Sequence, residues 1–167
     1  MPATYEPIAT TTLGSAAASI DFTSISSAYT DLKIILTTTS SVNGADLYMR
    51  FNSDSATNYS ITYLRGNGTS AATSRLSSQT QMTLTSGVVG LSSTIPQFYS
   101  IDIFSYTDSA FKTALTNTNG DRNGTGGVSD VVSLWRSTSA ITSVNLLPSG
   151  GNFNANTSAT LYGILKA

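Results

Sequence analysis

The chain has 167 residues, no cysteine, no histidine, 10% charged residues and a formal net charge of −1. That excludes a disulfide framework, a thiolate metal site and histidine-based acid–base or metal chemistry. It also offers no clustered basic face for nucleic acid and no run near 18 apolar residues for a membrane span.

Ser (27) and Thr (26) dominate the sequence, yet 40% hydrophobic residues, 15 aromatics among them, are enough to fill the core of one domain. Met1–Gly14 lacks the basic start and apolar run of a secretory leader. Residues 1–12 are polar apart from anchors such as Tyr5, Pro7 and Ile8. We expect an N-terminal arm that docks on a neighbour, with an edge strand of the same domain as the alternative.

From residue 13 to 167 the period-2 alternation of half-buried strands predicts a single domain. Ser19–Phe22 is a short candidate. Ser26–Asp31 could form one turn. Leu32, Ile34 and Leu36 share a face, as do Leu47, Met49 and Phe51, and Tyr59, Ile61 and Tyr63. Gly66–Gln81, Ser/Thr-rich and without apolar alternation, is read as a long loop ending at the short candidate Gln81–Thr85. Gly87–Leu91 is another. Tyr99, Ile101 and Ile103 alternate next, followed by Phe111, Thr113 and Leu115. Thr118–Gly127, rich in Gly and Asn, is read as a second long loop. Val131, Ser133 and Trp135, then Ile141–Leu147, then Ala159–Leu165 complete the series. Asn43-Gly44, the Gly66–Gly68 turn and Asn119-Gly120 supply positive-φ positions for tight connections. The fold class expected is all-β, an antiparallel sandwich or barrel.

Few residues suggest chemistry. Ser109-x-x-Lys112 has the spacing of some acyl-transfer enzymes, but that chemistry needs a helical turn, and in a strand the two side chains point to opposite faces. Asn117–Asn123 and Asn52–Asp54 offer alternating oxygen ligands. Each has one Asp and no Glu, which fits Asx-stabilised turns better than a calcium loop. The sequons at Asn58, Asn67, Asn123 and Asn156 are about as many as this composition gives by chance. No catalytic, cofactor-binding or metal-ligating residue is therefore assigned. Trp135 is either a core residue or a stacking platform at an interface, so the candidate interface residues are Tyr5, Pro7, Ile8 and Trp135.

Several segments taken in order resemble a known group. They are Tyr5–Ala9, Ser19–Ile25, Tyr29–Leu32, Phe51–Asp54 with Asn58–Ser60, Lys112-Thr113, Trp135–Thr142, Gly151–Phe153 and Ala159–Gly163. Their joint order is similar to virion structural proteins of tailed bacteriophages, found as short stand-alone proteins or as the end domain of longer fibres. The resemblance implies a jelly-roll β-sandwich in the virion, decorating or cementing the capsid shell without catalysis. Its partners would be copies of itself, in a homotrimer, and the major capsid protein. The alternative is a fibre tip that binds a receptor or host surface glycan, with Trp135 and Tyr48, Tyr59, Tyr63 and Tyr99 stacking on sugars. No cofactor, nucleic acid or membrane enters either picture.

Overall fold

Alternation of buried and exposed side chains runs through nearly every element of the computed structural model, which describes residues 4–85, 87 and 89–165. Twelve strands form among them and no helix. They are β1 (Tyr5–Thr12), β2 (Ile20–Phe22), β3 (Asp31–Thr38), β4 (Leu47–Phe51), β5 (Tyr59–Gly66) and β6 (Ala71–Gln79). They continue with β7 (Met82–Thr83), β8 (Gln97–Phe104), β9 (Lys112–Asp121), β10 (Gly126–Trp135), β11 (Val144–Pro148) and β12 (Ser158–Ile164). All pairings are antiparallel. One sheet has eight strands in the order β1-β12-β3-β8-β9-β10-β5-β6, and the other has four, β2-β11-β4-β7. The expected all-β antiparallel sandwich is what the chain forms.

Period-2 alternation sends one set of side chains from each sheet into the shared interior. Leu32, Ile34 and Leu36 of β3 and Tyr99, Ile101 and Ile103 of β8 face Leu47, Met49 and Phe51 of β4 and Val144 and Leu146 of β11, all fully buried. The chain alternates between the sheets from β1 to β4. It then departs twice, in the hairpins β5–β6 and β9–β10. Both add to the larger sheet and extend it beyond the smaller one.

Two segments expected to be loops are strands. β6 occupies most of Gly66–Gln81, and β9 and β10 run through Thr118–Asp121 and Gly126–Gly127. β6 is exposed on both faces for most of its length, so no buried side imposes an alternation that sequence could reveal. Residues 26–30 form no helical turn, and the strand expected over Ile141–Leu147 begins only at Val144. Gly87–Leu91 is not a strand at its described positions, although Val89 and Leu91 are buried.

The N-terminal segment is also corrected. Over Tyr5–Thr12 it is an edge strand paired with β12 from Tyr5↔Ile164 to Thr12↔Ser158, so within the chain it belongs to the sandwich rather than forming a separate arm. Its backbone groups find the open side of β12, while Ile8 and Ala9 pack against the core. Residues 1–3 lie outside the described residues.

Candidate functional site

The hairpins β5–β6 and β9–β10 carry the surface best suited to a partner. Their strands lie side by side, and register fixes which side chains share the outer face. One row runs Ile35, Ser100, Asn117, Asp130, Leu64 and Thr73. The next runs Lys33, Asp102, Leu115, Val132, Thr62 and Arg75. Leu64 (55% exposed), Val128 (62%) and Val132 (48%) stand out on this face, with Phe98 and Phe104 (42% each) flanking them. Charges there are engaged. Lys33 pairs with Asp102 at 2.6 Å, Asp130 accepts from Asn117, and Arg75 Nε donates to Thr62 Oγ1 at 3.2 Å. An apolar face whose ions are already partnered leaves no lone carboxylate or ammonium to be buried, so covering it costs less than covering unpaired charges.

At the far end of this face the two hairpin tips enclose an open groove of about 590 Å³, lined by Asn67, Asn119, Asp121, Val128 and the glycines around them. Turn chemistry builds both walls. Asn67 Oδ1 accepts from the backbone N–H of Thr69 at 3.1 Å and of Ser70 at 2.8 Å, fixing the β5–β6 turn. Asp121 Oδ1 accepts from Asn123 N–H at 2.8 Å, and Arg122 N–H donates to the Thr125 carbonyl at 2.7 Å. Gly126 is required at φ 148°, because a Cβ there would overlap the Gly120 carbonyl. The Arg122 guanidinium donates to the Gly90 carbonyl and ties the tip to the loop before β8. The groove's surface is mainly apolar, with a few amide, carboxylate and backbone groups at its walls. No aromatic ring lines it.

The sequence candidates do not converge here. Tyr5 (53% exposed) and Pro7 lie on β1 at the opposite edge of the sheet, and Ile8 turns inward. Trp135 belongs to the core, the first of its two expected places, which corrects its inclusion among the candidate interface residues. It is 3% exposed, stacked on Tyr59 with ring centroids 6.4 Å apart and edge-on to Phe51 at 5.6 Å, and its Nε1 donates to Asp54 Oδ2 at 2.7 Å. Its place on the inner face of β10 decides this, because that face is roofed by β4. Tyr59 and Tyr99 are fully buried as well, so neither can stack on a sugar.

The remaining motifs resolve into structural roles. Asn52 Oδ1 accepts from the N–H groups of Thr142 (2.8 Å) and Ser143 (3.1 Å), and its Nδ2 donates to the Ala140 carbonyl at 2.8 Å. Burial raises the Asp54 pKa, but hydrogen bonds from Asn58, Trp135 and the Ala56 backbone outweigh that and hold it below the ordinary value. Lys112 is fully buried and donates to the carbonyls of Asp108 and Ala110 at 2.5 Å each, whereas Ser109 is exposed. Desolvation lowers the Lys112 pKa, and Asp108 opposes the shift. Among the described residues, no three His, Cys, Asp or Glu side chains converge as a metal site would require. Sequence reasoning missed Leu64, Val128 and Val132 as a surface, because alternation alone cannot say which face is covered.

No family model matches the chain, and no curated protein or solved structure is significantly similar to it.

Proposed function

We propose that this chain is a structural protein of a tailed-bacteriophage virion that binds the capsid shell as a decoration or cement protein and performs no catalysis. The observation that carries the reading is the outer face of the larger sheet, where Leu64, Val128 and Val132 stand exposed among charges already engaged. Such a face suits broad contact with another protein surface. The strand order adds support. With the two hairpins set aside, the strands group as β1-β12-β3-β8 and β2-β11-β4-β7. We read this as the pairing of an eight-stranded jelly roll, the architecture that the sequence resemblance implies and that viral shell proteins use repeatedly.

Immunogold labelling of purified particles tests the reading. Dense label over the head is expected, and absence of the chain from the particle overturns it. A Leu64→Glu/Val132→Glu double variant should keep its melting temperature and lose binding to naked shells. The groove between the hairpin tips favours one second reading, a glycan-binding module at a fibre tip, because Asn67, Asn119 and Asp121 offer donors and acceptors around a concave surface. Label confined to fibre tips, with glycan binding lost in Asn119→Ala, would select it.

A further inference from the structure

A sandwich of two open sheets has four edges, and proteins normally guard each of them against strand addition. Three are guarded in this fold. β2 has three residues and β7 has two, too short to template another strand. β1 carries Pro7 and a register shift between Pro7 and Ala9. Counting the alternation from the Leu165 N–H to Thr4 carbonyl bond (3.0 Å), Pro7 falls where a residue directs its N–H to the free edge, so β1 lacks a donor there.

The fourth edge is open. β6 has nine residues, no proline and a single charge, Arg75, and most of it is exposed on both faces. Its one irregularity lies near its end, where Ser78 has φ 54° and the register with β5 shifts. Counting from the Asn67 N–H to Ser70 carbonyl bond (3.2 Å), Ala71, Thr73 and Arg75 direct their N–H and C=O groups away from β5.

We propose that β6 pairs with β6 of a second copy, antiparallel about a two-fold axis near Ser74, joining two larger sheets into one continuous sheet. An edge that can meet only its own kind must do so by a two-fold contact, and the proline-blocked β1 denies it a head-to-tail partner. This register sets no like charges directly opposite each other. Arg75 then lies beside Thr73 of the other copy, in the row that continues through Leu64 to Asp130. Arg75 keeps its hydrogen bond to Thr62 of its own chain and leaves Leu64 uncovered. On the other face, Leu76 (39% exposed) meets Ala72 of the second copy. The pairing is independent of shell binding. It replaces the three-fold order implied by the sequence resemblance with a two-fold one.

The full-length chain, studied by sedimentation equilibrium, should be a dimer. Thr73→Pro removes an outward N–H without touching the ladder to β5. It should weaken self-association by at least about tenfold while leaving the melting temperature in place. A second variant does not depend on tolerance of proline. The chain has no cysteine, and Ser74→Cys would sit opposite its own copy in a non-hydrogen-bonded pair, about 4.5 Å apart at Cα, close enough for a disulfide. Mild oxidation should give a covalent dimer from Ser74→Cys and none from Thr10→Cys on β1. A monomer or trimer at equilibrium, or a Ser74→Cys protein that never cross-links, overturns the proposal.

Discussion

Asp54 shows how much one side chain can organise. Its carboxylate accepts from Trp135 Nε1, Asn58 Nδ2 and the Ala56 N–H, joining a turn, β10 and the start of β5. Removing it strands the indole N–H in a buried site, so Asp54→Ala should cost about 1–3 kcal/mol in chemical denaturation. Trp135→Ala, which also empties the stack on Tyr59, should cost about 3–5 kcal/mol. The Asp54 pKa is depressed in the fold, so its contribution is present above the unfolded value near 4 and is lost as pH falls through the folded one. The acid limb of the stability profile should therefore flatten in Asp54→Asn.

Among the elements, β1 and β12 illustrate coupling across a sheet edge. Gly163 of β12 lies so close to Tyr29 that an added Cβ would overlap the ring. Tyr29 in turn donates its hydroxyl to Glu6 Oε2 of β1 at 3.2 Å. Gly163→Ala should destabilise by about 1–3 kcal/mol through displacement of that ring. In the Tyr29→Ala background the penalty should shrink, a non-additivity that a double-mutant cycle measures. Because β1 pairs along its whole length with β12, deleting residues 1–12 should lower the melting temperature rather than act only on assembly. An unchanged melting temperature would contradict the place of β1 as an integral strand of the sandwich.

At the scale of the molecule, alkaline pH tests the core. Desolvation pushes the Tyr59 phenol up to about 12, against a backbone hydrogen bond with Phe51 that lowers it, and Tyr99 is raised further still. Unfolded tyrosine ionises near 10, so the fold binds the phenolic protons more tightly than the unfolded chain does. That stability is fully present below pH about 10 and drains away as pH rises through the folded values. Urea midpoints should hold between pH 7 and 9 and fall between 10 and 12, less steeply in Tyr99→Phe.

The all-β class was legible because strands with one buried face write a two-residue period into the sequence, as Leu32–Ile34–Leu36 and Leu47–Met49–Phe51 do. The turn at Asn67 was legible from composition, since it needs Asx hydrogen bonds and the positive φ of Gly68. Asn119-Gly120 was misplaced as a turn: both lie in β9, and the positive-φ positions of that hairpin fall at Asn123, Gly124 and Gly126. Alternation says that a strand has two faces, but not which neighbour covers either one. Trp135 could therefore be core or platform until β4 and Tyr59 enclosed it. β1 could be arm or edge until β12 offered an open ladder. β6 left no pattern at all, because a strand exposed on both faces is under no constraint that hydrophobicity records. The groove exists only where two hairpins distant in sequence bring their tips together, a proximity set by sheet pairing rather than by any local residue preference.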